Sequence, residues 1–577
     1  MKTIMTKLGE RVALGTVIMS GLFTSLRAQP AEEPFYAPPE AWLPGEKLPY
    51  FGSENPWNRR FFSEKPPRIG QPQYLALTEG RIADALALCR TRLAADEGDV
   101  ESHLVLALAH GLAGESDAAN AELETALGLG LPPERLLADR SALMLRLHAA
   151  PAWQRVARAS NNLIHGPMLG AMTTSGCRVW VRTGRECEVE VRVSQRGDFD
   201  HPEARATGRT SAVADFTGTV ELAGLQPGTR YAYAVWLDGV ALPRGEDWEF
   251  RTFPPPAAGK TVRIAFGGCA KYFPPHERMW DMIRGHRPDA FLILGDNVYI
   301  DLPQSVGPVH DYTYHQRQSR PEFRRLTAGV PTFAIWDDHD AGIDDVFLGP
   351  YPDKPSWKVE HLAVFNRNWV NPPSGAPPHW PGVWHSFRIG DVEVFMLDGR
   401  YYRENYLIER PSMLGPVQKA WLLDGLKRST ATFKLLVSPV AWADDAKIDF
   451  TQGGQRVFAK DIWSGYRQER DEIFAFLAAE RISGVLLVSS DRHRNDVRQI
   501  VRPQGYPLLE FESGWLTNEA GHDGSGEPLF QHLAGPAFQL FTFEGSGGGA
   551  AVTAEIITID GEPVFRRRVQ LGELTQP

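Results

Sequence analysis

The chain has 577 residues, 43% hydrophobic and 23% charged, a length that calls for several domains rather than one. Its formal net charge of −10 and pI near 5.9 argue against nucleic acid as the main partner, because a phosphate backbone needs a basic surface. They leave room for small phosphate esters, since a bound cation supplies local positive charge that the overall balance lacks.

Residues 1–28 read as an export signal. Lys2, Lys7 and Arg11 precede the mostly apolar run Val12 to Leu26, and Leu26-Arg27-Ala28 stands where a peptidase would cut. The expected location is the periplasm or the outside of the cell, with an uncleaved anchor as the alternative. No other stretch of the sequence approaches a transmembrane span. Residues 29–70 are rich in proline and aromatics without a period, and read as an extended segment.

Residues 71–158 are helical in pattern. Gly80-Arg-Ile-Ala-Asp-Ala85 matches Gly114-Glu-Ser-Asp-Ala-Ala119 thirty-four positions later. That spacing resembles the tetratricopeptide helical hairpin, with an Ala-rich bundle as the plainer alternative. Such helices would offer a surface to a protein partner. Cys89 falls on an apolar face and reads as packed there.

Residues 159–256 change to a period of two. Arg178-Val-Trp-Val-Arg182, Val189-Glu-Val-Arg-Val193 and Tyr231-Ala-Tyr-Ala-Val-Trp236 alternate as half-buried strands do, and suggest a fibronectin- or Ig-like sandwich. Cys177 and Cys187 flank a hairpin there, and only geometry decides whether they pair. Thr252-Phe-Pro-Pro-Pro-Ala-Ala-Gly259 reads as a linker.

Residues 257–577 read as an α/β domain that carries the chemistry. Short apolar runs each end in a polar cluster: Val262–Phe266 before Cys269, Ala290–Leu294 before Gly295-Asp-Asn-Val-Tyr299, and Thr332–Ile335 before Trp336-Asp-Asp-His-Asp340. Val392–Leu397 then leads to Asp398-Gly-Arg-Tyr-Tyr402, and Gly484–Val488 to Ser489-Ser-Asp-Arg-His493. Runs of this kind suit strands buried on both faces, whose carboxyl ends collect ligands. Singly, an Asp after a strand is most often a turn or cap residue. Three carboxylates within Asp337–Asp340 are harder to dismiss, because they repel one another unless a cation or arginine offsets them. Carboxylates suit hard cations, imidazole suits zinc or iron, and a thiolate with a phenolate favours trivalent iron.

These blocks resemble those of the PhoD-like phosphatases, relatives of the calcineurin-like and purple acid phosphatases, over about residues 160 to 577. Met413-Leu-Gly-Pro-Val-Gln418 and Trp463-Ser-Gly-Tyr466 with Glu469-Arg470 belong to the same pattern. The resemblance implies a metallophosphoesterase fold of the calcineurin-like kind, acting on phosphate mono- or diesters with iron (Fe3+) and calcium, or other divalent metals. It implies Cys269, Asp296, Tyr299, Asp338, Asp491 and His493 as metal ligands, Asp296 bridging two metals. It implies His339 and Arg400 as catalytic and phosphate-binding groups, with Asn297 also touching substrate. Ser490 stands where the family has Gly, Ala341 where it has Tyr, and Asp344 where it has Asn. Those departures motivate a rival expectation, an envelope binding or scaffold protein with a degenerate phosphatase domain.

Overall fold

The structure, a computed structural model, describes residues 68–576 apart from 258, 304–305, 378, 407–409, 445–449, 453–454, 458–460, 525 and 546. The expected export signal, 1–28, and nearly all of the extended segment, 29–70, lie outside the described residues.

The helical pattern folds as two consecutive hairpins. Gln71–Thr78 pairs with Ile82–Ala95, and Val100–Ala113 with Ser116–Gly128. Gly80 (φ 74°) and Gly114 (φ 77°) sit in the two turns, both in the left-handed region that a side chain disfavours. The thirty-four-residue spacing is therefore the separation between the turns of the two hairpins. Three further helices follow: Pro133–Ala138, Ala142–Leu145 and Pro151–Ala159. Cys89, Leu104, Leu108 and Leu123 fill the core of this segment, and Val309 and Tyr312, far along the chain, complete it. The helices thus share a core with the region that follows the β-rich part.

The period-two region forms two antiparallel sheets. One holds Leu163–Gly170, Cys177–Thr183 and Thr217–Leu222. The other orders Ala204–Arg209, Glu188–Ser194 and Arg230–Leu237, with Val240–Ala241 and Glu249–Arg251 on the last strand's far edge. Cys177 and Cys187 serve strands of different sheets, and both are free, buried thiols.

Two mixed sheets, with a small antiparallel pair of Phe450–Gln452 and Gln455–Val457, make up the rest of the described β structure. The first orders Thr332–Ile335, Ala290–Leu294, Val262–Gly267, Ala537–Glu544, Ala551–Thr558 and Pro563–Gln570. The second orders His385–Ile389, Val392–Met396, Phe433–Val437, Val485–Ser489, Leu508–Ser513, Asn495–Ile500 and Phe530–His532. The strands that end in polar clusters lie parallel within each sheet: 262–267, 290–294 and 332–335 in one, 392–396, 433–437 and 485–489 in the other. The apolar runs are strands because each is buried on both faces. Phe541 joins the sheets, its ring meeting Phe266 at 4.7 Å and Phe511 of the other sheet at 4.9 Å, both edge-on. Burying one such ring contributes about 1.5–3 kcal/mol. The loops at the carboxyl edge are bonded together: Gly268 N donates to Ser513 O, Cys269 N to Gly295 O and Ala270 N to Asp296 O. No helix among the described residues is long and apolar enough to cross a membrane.

Candidate metal centre

The strand ends bring a dense set of donors together. Cys269 Sγ lies 3.6 Å from Asp296 Oδ2 and 3.5 Å from the Asp491 carbonyl oxygen. The Tyr299 hydroxyl donates to Asp296 Oδ2 at 3.0 Å and lies 3.2 Å from His493 Nε2. Ligand atoms of Cys269, Asp296 and His493 fall within 4.8 Å of one another, as do those of Asp296, Asp338 and His339, and those of Asp337, Asp338 and Asp491. Asp296 is common to the first two of these sets, and Asp338 to the last two.

Backbone strain accompanies the convergence. Cys269 (φ 56°), Asp296 (φ 51°) and Asp491 (φ 73°) are all left-handed without being glycine. Each such residue costs on the order of 1–3 kcal/mol and persists where the surroundings over-determine it. Here the left-handed turn follows a buried strand each time.

The electrostatics ask for a cation. Burial first, then Asp338, Asp337, Asp340 and Asp491, push the Asp296 carboxyl well above its ordinary range. Burial, Asp296 and Asp491 push the Cys269 thiol up, and burial, Asp296 and Cys269 do the same for the Tyr299 phenol. Burial lifts Asp337 to about 7 against the pull of Arg400. Asp296 Oδ1 and Asp337 Oδ2 are buried without a hydrogen-bond partner. A buried carboxylate oxygen left so is costly unless a cation meets it. The residues therefore fit a metal centre.

His493 is oriented for ligation. Its Nδ1 lies 3.0 Å from Ala520 O, and an N–H donated to that carbonyl turns the Nε2 lone pair toward Tyr299 and Asp296. Its ring stacks on His522 at 4.2 Å. His339 stacks on Tyr299 at 4.2 Å, and its Nδ1 lies 2.6 Å from Asp301 Oδ1. Asp344 Oδ1 stands 3.4 Å from His339 Nε2, so the Asp-for-Asn departure faces the same imidazole.

Arg400 and Asn297, the other expected substrate contacts, are both buried among protein partners. Arg400 is fully buried, with Nη1 and Nη2 on both oxygens of Asp461 at 2.7 and 2.8 Å and Nε on Asp337. Its planar fork is engaged by these carboxylates and so helps to hold Asp337 in place. Asn297 is also buried, and its amide donates to Ile335 O and to Asp340 Oδ2. Asp340 further accepts from the backbone N–H groups of Asn297, Val298 and Asp337, locking one loop to the next.

Ser490, the Ser-for-Gly departure, lies outside the left-handed region, so the position has no backbone need for glycine. Gly268 faces it: a Cβ on Gly268 would stand 2.2 Å from Ser490 Oγ. The missing side chain of Gly268, at a strand end of the other sheet, leaves the room that Ser490 fills. Ala341 is buried. The Met413–Gln418 and Glu469 blocks turn out to be structural. Glu469 accepts from the backbone N–H groups of Met413 and Leu414 and from Ser412 Oγ, and Gln418 brackets the Asp398 backbone.

Sequence reasoning missed Asp301, Asp461 and Asn518. Asn518 Nδ2 donates to Tyr299 Oη at 2.9 Å and lies 3.2 Å from His493 Nε2. It follows the strand Leu508–Ser513, and the rule that ligands gather after parallel strands would have reached it.

Residues 264–533 match the family model described as PhoD-like phosphatase, and residues 160–255 match a domain of unknown function, DUF7800. Alkaline phosphatase D of Bacillus subtilis (strain 168) is 23% identical over 314 residues, covering 48% of this chain and 52% of that protein. The chain thus spans about half the length of this curated relative. A solved structure of PhoD superposes with a TM-score of 0.58 and 18% identity, over 71% of this chain and 93% of that one, and is similar in fold.

Proposed function

We propose that this chain, whose residues 264–533 belong to the PhoD-like phosphatase family, is an exported phosphoesterase that hydrolyses phosphate mono- or diesters with metal-activated water. The observation that carries the reading is the set of Cys269, Asp296, Tyr299, Asp338, Asp491 and His493 at one sheet edge, with buried Asp296 Oδ1 and Asp337 Oδ2 awaiting a partner. Thiolate, phenolate and imidazole around Asp296 suit Fe3+, and the all-carboxylate side around Asp338 suits calcium. Such cations, when bound, would polarise the ester and acidify the attacking water.

The chain's own groups do the rest. Asp296 stands between the two donor sets. Arg400 holds Asp337 and Asp461 in place, and Asp340 fixes the loop that carries Asp296 to the one that carries Asp338. His339, oriented by Asp301 through Nδ1 and facing Asp344 with Nε2, passes a proton from Nε2 to the departing oxygen as its bond to phosphorus breaks. Residues 1–28 support export, and the hairpins of 71–158 are read as tetratricopeptide-like, a surface for a protein partner. The test is release of p-nitrophenol from p-nitrophenyl phosphate and bis-p-nitrophenyl phosphate, with iron and calcium supplied and with chelator. Folded protein that releases none from either ester in a metal-dependent way would overturn the proposal, and would favour a binding role for a degenerate domain.

A further inference from the structure

The helical segment lies outside both matched regions, yet its leading residues reach the metal centre. Arg68, just before the first helix, pairs through Nη2 with Asp301 Oδ2, while the other oxygen of that carboxylate lies 2.6 Å from His339 Nδ1. The guanidinium also stands 5.6 Å from the Tyr299 ring centre. Arg68, Asp301 and His339 therefore form a line, with one carboxylate bridging a cation and an imidazole. Asp301 is itself left-handed (φ 52°), on a loop whose backbone needs outside support.

That support comes from the same segment. Gln71 Nε2 donates to Tyr299 O at 3.0 Å and to Ile300 O at 2.8 Å. Gln316 Nε2 donates to Ile69 O at 3.2 Å. Tyr74 stacks on Tyr312 at 4.2 Å, and the Tyr312 hydroxyl donates to Glu101. Gly70 makes the approach possible: a Cβ there would stand 2.1 Å from Tyr312 Oη and 2.8 Å from Glu101 Cβ.

We infer that Arg68 is a positioning residue of the active site, acting through Asp301 on His339, and that residues 68–159 are part of the catalytic unit as well as a candidate partner surface. The inference rests on the phosphoesterase reading, in which His339 protonates the leaving oxygen. With Arg68 against one oxygen of Asp301 and His339 against the other, the carboxylate fixes the imidazole; without Arg68 it loses its cationic neighbour, while Gln71 still holds the loop backbone. The loss must therefore grow with the leaving group's need for a proton.

The experiment compares wild type, Arg68→Met, Arg68→Lys, Gly70→Val, Asp301→Asn and the Arg68→Met/Asp301→Asn double variant, all metal-loaded. Substrates are phenyl phosphate, whose leaving group needs the proton, and p-nitrophenyl phosphate, whose leaving group needs it less. Melting temperature and metal content are read alongside. Arg68→Met is expected to lower kcat on phenyl phosphate by about tenfold or more, and less on p-nitrophenyl phosphate, with KM and metal content near wild type. Arg68→Lys recovers part of the loss. Gly70→Val, which displaces the segment without touching Asp301, reproduces the leaving-group pattern. Arg68→Met adds nothing on the Asp301→Asn background. Wild-type kcat on both esters, a rise in KM alone, or additive losses with Asp301→Asn would each overturn the inference. A readout independent of turnover is the Nδ1 proton resonance of His339 in 15N-histidine-labelled protein, expected to move in Arg68→Met; no movement overturns the inference even if no ester is cleaved. Wild-type protein inactive on both esters, by contrast, counts against the phosphoesterase reading.

Discussion

Arg400 holds Asp461 by both carboxylate oxygens, at 2.7 and 2.8 Å, and reaches Asp337 with its remaining edge. All three groups are buried, and Arg403 also pairs with Asp461. Removing one member of such a cluster strands buried charge, which typically costs about 3–5 kcal/mol. Arg400→Met is expected to lose stability on that scale, together with metal content and activity, as read by urea denaturation and elemental analysis. Arg400→Lys should not restore it, because a single ammonium cannot replace a planar fork. A phosphate-binding Arg400 would give another result: ordinary stability and a raised KM.

Asp296 and His339 should separate metal from proton chemistry. Asp296 lies within reach of both donor sets, and Asp296→Ala is expected to abolish turnover and lower metal content. His339 stacks on Tyr299 beside them, and His339→Ala should keep most of the metal while losing about a hundredfold in rate. Kinetics and metal analysis on the same preparations check both. Full activity in either variant refutes the role given to that residue.

The Tyr299 phenol and Cys269 thiol, packed around Asp296, predict colour. With Fe3+ supplied, concentrated protein should absorb visible light, and Tyr299→Phe should abolish or strongly shift the band. Cys269→Ser should weaken iron retention more than calcium retention, since a thiolate is the softer donor. A colourless, iron-free protein with full phosphoesterase activity would show that another metal does the work.

The strands that carry the site were legible because their sequences are short apolar runs stopped by polar clusters, and burial on both faces leaves little else for such runs to be. Gly80 and Gly114 were legible as a repeat because a left-handed turn admits few other residues. The carboxylate partners of Arg400 were not legible for a physical reason: a guanidinium fork fits a phosphate and a pair of carboxylates equally well, and only the fold places Asp461 opposite it. Asp301, Asp461 and Arg68 left no local signal, since each acts through a partner distant in sequence. Ser490 looked like a defect in isolation and is accommodated by Gly268 across the strand ends.

That accommodation is testable. Ser490→Gly should change stability by less than about 1 kcal/mol, because the Ser490 hydroxyl makes only long bonds, to Ser513 O at 3.3 Å and with Cys269 Sγ at 3.7 Å, and its backbone is unstrained. Gly268→Ala should cost more, since the new Cβ meets Ser490 Oγ at 2.2 Å and Gly295 O at 2.9 Å. Ser490→Gly should recover only part of that cost, because the Gly295 carbonyl remains. Thermal denaturation of the two single variants and the double variant decides it.

Buried histidines set an acid limit on the fold. Burial lowers His385 to about 4, and burial with His361 and Arg367 lowers His310 to about 3. In the unfolded chain each takes a proton near pH 6.5, whereas in the folded protein each stays neutral to about pH 4 or below. Between those values the unfolded state binds more protons, so stability rises with pH there and is lost as pH falls. Each group contributes a slope of about 1.4 kcal/mol per pH unit within its window. Buried carboxylates such as Asp340, raised by burial to about 8, slope the other way, so the wild-type curve alone is ambiguous. The difference between wild type and His385→Phe isolates one group, because the ring already stacks over Phe333 at 6.4 Å and an aromatic replacement keeps that packing. Stability relative to the variant should fall by about 1.4 kcal/mol per unit from pH 6 down to pH 4.5 and be flat above pH 7. A difference independent of pH across that range would mean that His385 is not held neutral by the fold.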